Sequence, residues 1–235
     1  MNLYFLVEGK RSEKKLYKAW IQILFPGLTA VEKLEDISND NFYIISSEGY
    51  PPSEQFITSA TQDLSTNSHL AIDHIFICFD AEEDALATKK SAIEEIILRS
   101  EPNFFNKMSC SVIIQNRCIE TWLLGNRKIV SRNPISTDLR QCLQHYSVLH
   151  DDPEDLPKPN EFVGTHADYH EYYLKKMLAE KNMSYTKRNP GETQNEHYLS
   201  ELIRRIHETD HLASLRVFID ACINLGATIS ASPGH

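Results

Sequence analysis

Two continuous apolar runs, residues 3–7 (LYFLV) and 75–79 (IFICF), each stop abruptly at acids. Glu8-Gly9 follows the first, and Asp80-Ala81-Glu82-Glu83-Asp84 follows the second. Unbroken apolar runs of this length fit strands covered on both faces, as in a parallel sheet. In such sheets ligands collect beyond the carboxyl ends of the strands. Two strands that deliver acids to that edge therefore predict a site for a hard divalent cation, which prefers oxygen ligands. The competing reading is that acids after strands cap the next helix. Ser12, with Glu13 beside it, can cap the first helix unaided, which leaves Glu8 without a capping role.

Strand and helix signals alternate through the first half of the chain. A helix is predicted at 12–24, with Leu16, Trp20, Ile23 and Leu24 on one face, and Pro26-Gly27 stops it. A short strand at 42–45, a turn at 49–52 and a helix at 54–64 precede the strand at 75–79. A helix at 85–99 and a strand at 111–115 (SVIIQ) follow. This alternation implies right-handed crossovers and a mostly parallel four-stranded sheet flanked by helices, an α/β core over residues 1–125. Beyond it helical patterns dominate, at 137–145, 168–181, 196–209 and 212–224. Residues 126–225 are expected to form a helical elaboration packed on the core. The segment 151–160 (DDPEDLPKPN) reads as an ordered loop or linker, and 226–235 as a frayed tail.

At 235 residues the chain can bury a substantial core. It has no apolar run long enough to span a membrane and no secretory signal at its start, so no membrane partner is expected. Five scattered cysteines without a CxxC pair read as reduced, mostly buried thiols, and the expected location is the cytoplasm. A net charge of −9 argues against nonspecific coating of nucleic acid, which rests on lysine and arginine. An enzyme that holds phosphate through a bound cation can nonetheless be acidic overall. Basic residues cluster at Lys10, Arg11, Lys14, Lys15 and Lys18, at Arg127, Lys128 and Arg132, at Lys187 and Arg188, and at Arg204 and Arg205. Solvated helix faces account for most of these equally well, but Lys10 and Arg11 adjoin Glu8.

A strand ending in Glu-Gly, then a helix, then a strand ending in an Asp-x-Asp-like acid motif resembles the TOPRIM arrangement. Val7-Glu8-Gly9-Lys10-Arg11-Ser12-Glu13 looks most like the small defence-associated TOPRIM proteins, RloB-like and related to the OLD nucleases. Arg117-Cys118-Ile119-Glu120-Thr121-Trp122-Leu123-Leu124 resembles the segment that follows their fourth core strand. Here Glu82 stands where the family usually has a second Asp, so the choice among Glu82, Glu83 and Asp84 is open. The resemblance implies hydrolysis of DNA or structured RNA with Mg2+ or Mn2+. It implies metal ligands among Glu8, Asp80, Glu82 and Glu120, with Glu8 a ligand or general base and Lys10 offsetting phosphoryl charge. Arg11, Lys14, Arg117, Lys187 and Arg188 are the expected substrate contacts. A separate ATPase partner in antiphage defence is implied by the same route, and a homo-oligomer is compatible with it.

Each residue has a plainer reading. The acids from Asp80 to Asp84 suit a helix start, Glu120 could bridge to Arg117 one turn away, and Trp122, Leu123 and Leu124 suit a core. Tyr169, Tyr172 and Tyr173 read as half-buried packing before base stacking. His207-Glu208-Thr209-Asp210-His211 matches the zinc-hydrolase HExxH pattern, but Thr209-Asp210 looks like a helix end and little chain remains to supply a third ligand. His166 and His170 share a helix face without further ligands. A noncatalytic TOPRIM-like interaction module, docking a basic partner on an acidic surface, is the alternative of a different class.

Overall fold

β1, Leu3–Val7, is buried at every residue, and β4, His74–Asp80, at every residue but the last. Cover on both faces is what their unbroken apolar sequences require. The computed structural model describes residues 1–9, 12–47, 53–67 and 69–229. The expected turn at 49–52 falls outside the described residues. Among them, β2 (Thr29–Val31), β3 (Asn41–Ser46) and β5 (Cys110–Gln115) complete a sheet in the order β2-β3-β1-β4-β5. All five strands are parallel.

The expectation of four strands is thus corrected to five. The strand that went unseen is β2, a three-residue edge strand paired to β3. Three residues cannot display a period, and edge strands are commonly that short. β1 is central, with β2 and β3 on one side and β4 and β5 on the other. The topological switch point, where open parallel sheets bind ligands, therefore lies between β1 and β4.

The chain divides into two compact units. The first comprises Met1–Phe79 and Ala85–Ile114, with helices α1 (Ser12–Leu24), α2 (Ser53–Thr66), α3 (Leu86–Ser100) and the short α4 (Phe104–Lys107). α1 buries Leu16, Tyr17, Trp20, Ile21 and Leu24 at helical spacing. Phe5 of β1 stacks on Phe76 of β4 at 4.6 Å and meets Tyr17 at 6.2 Å, so one aromatic column ties both central strands to α1.

The second unit comprises Asp80–Asp84 and Gln115–His235, with α5 (Ile119–Leu123), α6 (Thr137–His145), α7 (His166–Ala179), α8 (Glu196–Glu208) and α9 (Ala213–Asn224). Trp122 is fully buried, stacks on Phe218 and donates to Ser214 Oγ at 2.7 Å. The acidic stretch 151–160 is ordered and has a use. Asp152 accepts from the Leu212 amide, and Glu154 accepts from the amide and hydroxyl of Ser214 at 2.9 and 2.6 Å. Both acids thereby satisfy the start of α9, which carries no side-chain cap of its own. No helix among the described residues is long and apolar enough to cross a membrane.

Candidate functional site

In the first unit, Val7 lies in register with Cys78, so β1 and β4 run to the same edge. The Glu8 amide donates to the Cys78 carbonyl at 3.2 Å, and the Glu8 carbonyl accepts from the Ser47 hydroxyl at 2.6 Å. The backbone that presents Glu8 is thus clamped from both neighbouring strands. Gly9 follows for a steric reason: a Cβ there would collide with the Glu13 carboxylate. Glu13, in the first turn of α1, is buried at 5% exposure. Burial raises the Cys78 thiol far above its ordinary value against a Tyr17 hydrogen bond, and the Glu13 charge adds to the rise. Glu13 is therefore an acid of this edge, not simply a neighbour of a capping serine. Its sequence signal was a glycine four residues ahead, which leaves room for a carboxylate to fold back. Lys10 and Arg11 lie outside the described residues, and Lys14 is half-buried on α1.

In the second unit, Asp80 ends β4 and two turns lock together behind it. The Ala81 amide donates to Gln115 O, and the Glu82 amide to Arg117 O, both at 2.9 Å. Arg117 Nη1 returns a bond to the Glu82 carbonyl at 3.0 Å. Glu82 and Arg117 both occupy the left-handed region, at φ 53° and 63°. Non-glycine residues there carry strain on the order of 1 kcal/mol each, and such residues gather at functional sites.

Glu83 is committed elsewhere. Its carboxylate accepts from the His166 amide at 3.0 Å, meets His166 Nδ1 at 2.7 Å and pairs with Arg117 at 3.5 Å. The His166 amide at the start of α7 is the main force holding the Glu83 carboxyl below its usual range. All three acids left open by the sequence are exposed, and of them Glu83 anchors a helix.

Glu120 is 3% exposed on α5 and accepts from the Tyr185 hydroxyl at 2.7 Å. The bridge to Arg117 anticipated one turn away does not form, since Arg117 turns to Glu82 and Glu83. Burial pushes the Cys118 thiol well up, and the charges of Glu120 and then Asp80 push it further. Both carboxylates therefore stand within electrostatic reach of one buried sulfur. Burial lowers the Lys187 ammonium, but Glu120 and Glu171 more than offset it, and its pKa stands above the ordinary lysine value. Lys187 pairs with Glu171 at 3.4 Å and lies within electrostatic reach of Glu120. Arg188 is exposed.

The other histidine and aromatic motifs make packing and hydrogen-bond contacts within the fold. α8 ends at Glu208, so His207 and His211 do not share a helix. His211 Nδ1 accepts from Arg205, and Glu208 is held by Arg127 and Arg204. His170 is buried, with Nδ1 on Thr121 Oγ1 at 2.7 Å and Nε2 on the Leu156 carbonyl at 3.2 Å. Tyr169, Tyr172 and Tyr173 pack together with Phe162.

Among the described residues no group of three or more His, Cys, Asp or Glu side chains is placed to hold a metal ion. The donors at the sheet edge are carboxylate oxygens, the ligands a hard cation such as magnesium prefers. Magnesium typically takes one or two carboxylates and completes its shell with water and substrate phosphate. In donor chemistry, the residues fit that ion. Comparison with family models, with curated proteins and with solved structures returned no match.

Proposed function

We propose that this chain is a TOPRIM-type, magnesium- or manganese-dependent nuclease that hydrolyses phosphodiester bonds in DNA or structured RNA. The observation that carries the reading is the topology. β1 and β4 flank the switch point of an all-parallel sheet, Glu8 follows the first, and Asp80 closes the second. Strain at Glu82 and Arg117, immediately behind Asp80, supports it.

Asp80 and Glu120, with Glu82 as a third candidate, are the residues that would hold the cation, and the TOPRIM resemblance alone adds Glu8. The ion, when bound, would supply polarisation of the scissile phosphate. Glu8, if not a ligand, serves as base toward the attacking water. Lys187 offsets negative charge on the phosphoryl oxygens, a role expected of Lys10 as well. The Tyr185 hydroxyl orients Glu120. Arg117 acts as a positioning residue, holding the acid loop through Glu82 and Glu83. The scattered, unpaired cysteines favour the cytoplasm, and the TOPRIM resemblance favours an effector of antiphage defence beside a separate ATPase chain.

The test is incubation of purified protein with plasmid, single-stranded DNA and total RNA, with Mg2+, with Mn2+ and with chelator. Cleavage that needs a cation and vanishes in Asp80→Ala is the expected result. Cutting that survives Asp80→Ala, or proceeds in chelator, overturns the assignment. A noncatalytic module is the second reading, favoured by the structural engagements of Glu83 and Glu120. It predicts no cation-dependent cleavage by the wild type, and hence no loss of cleavage in a folded Glu8→Gln/Asp80→Asn variant.

A further inference from the structure

Basic residues far apart in the sequence line one open cavity of about 890 Å3 in the second unit. Arg127, Lys128 and Arg132 come from the segment after α5, and Arg204 comes from α8. Against these four cations the lining contains a single carboxylate, Glu208. Arg205, adjacent in sequence to Arg204, takes no part, being fully buried on backbone carbonyls.

The cations are held in place by two acids of α8. Glu208 binds both Arg127 and Arg204, the latter at 2.9 Å. Glu201, 5% exposed, binds Lys128 and Arg204 Nη2, the latter at 2.5 Å. Arg204 uses three N–H groups on these carboxylates, from Nε, Nη1 and Nη2, which leaves donors of its guanidinium for a ligand. Arg132 has no ion pair among the described residues. Two serine hydroxyls and His150 add further donors to the wall.

A chain of net charge −9 that concentrates preorganised guanidinium groups around one hollow builds a local field for anions. Among the described lining residues the one aromatic ring is the His150 imidazole, with no phenyl, phenol or indole, so charge and not base stacking dominates the hollow. Its chemistry addresses phosphate oxygens, and its spread of cations addresses several of them.

We propose that this cavity docks the phosphate backbone of a nucleic acid, without regard to base sequence. The proposal rests on the nuclease reading and adds the surface that holds the polymer.

The experiment is fluorescence anisotropy with short fluorescein-labelled RNA and DNA oligonucleotides of several sequences, in chelator, across a salt series. Thermal unfolding of each variant serves as the control for folding. Lys128→Gln and Arg132→Gln, both at exposed residues, are expected to weaken binding equally for all sequences. The salt slope should fall by about 0.7 for each phosphate of a single strand that is no longer neutralised. The Lys128→Glu/Arg132→Glu variant should bind on the order of tenfold more weakly, while Lys90→Gln, at an exposed lysine of α3 in the first unit, binds as the wild type does.

Wild-type affinity in the folded charge-reversal variant overturns the proposal, even where Asp80→Ala abolishes cleavage and the nuclease reading stands. Loss confined to one base sequence overturns it as well. So does binding of inorganic tripolyphosphate with no binding of either oligonucleotide, which would make the cavity a small-anion site. Conversely, if cleavage survives Asp80→Ala while the cavity variants lose binding, the groove stands and the catalytic assignment falls.

Discussion

Gly9 and Glu82 illustrate opposite backbone demands at a single residue. Gly9 accommodates the buried Glu13 carboxylate, so Gly9→Ala must push Glu13 aside. We expect a loss of about 1–2 kcal/mol in urea unfolding, as for other overpacked sites. An unchanged midpoint would show that Glu13 relaxes freely. Glu82 sits in the left-handed region at φ 53°, where glycine carries no Cβ penalty. Glu82→Gly is therefore expected to keep or raise stability, by up to ~1 kcal/mol. Under the nuclease reading the same change lowers the cleavage rate, because a carboxylate and a strained, ordered turn are lost together. Reduced stability in calorimetry would contradict the strain argument. At this scale the sequence made Glu8 and Asp80 legible because each ends an apolar run. Glu13 and Tyr185 were not legible, since each gains meaning only from a neighbour across the fold.

Helices α5, α7 and α8 are joined by buried polar side chains, and their pH behaviour follows. The Leu156 carbonyl can only accept, so His170 carries its proton on Nε2 and takes the Thr121 hydroxyl bond at Nδ1. Burial, first of all, lowers His170 from 6.5 to about 4. The unfolded chain therefore binds the extra proton between about pH 6.5 and 4, and stability falls as pH drops through that window. The loss should approach ~3 kcal/mol by its lower end. Urea unfolding across this range is expected to show it, and His170→Gln should flatten the profile; an equal slope in the variant would refute the assignment. Arg205 is a second tie. Its guanidinium donates to the carbonyls of Gly125, Val148 and Asp151 at 3.2, 2.7 and 2.6 Å. Arg205→Leu leaves these buried acceptors unmatched, and a cost of about 3–5 kcal/mol is expected. A thermal midpoint near the wild type would show that water replaces the guanidinium without loss.

For the whole molecule, the nuclease reading makes the folded state a cation receptor. Any ion bound only by the folded chain adds about 2.7 kcal/mol at a hundredfold excess over its dissociation constant. Mg2+ is therefore expected to raise the melting temperature of the wild type in a saturable manner, and to lose that effect in Asp80→Asn. An identical Mg2+ response in the variant would remove Asp80 from the ligands. Local sequence determined the parallel α/β sheet, the buried central strands and the acids at their ends. The reason is that two-face burial and helix stops are written in runs of neighbouring residues. Tertiary structure alone decided the rest. It added the edge strand Thr29–Val31, gave Glu83 to α7 and Glu120 to Tyr185, and separated His207 from His211 at the end of α8. It also gathered Arg127, Lys128, Arg132 and Arg204 around one hollow and buried Arg205 beside them. Which partner a charged side chain meets depends on how distant segments pack, and periodicity carries no record of that.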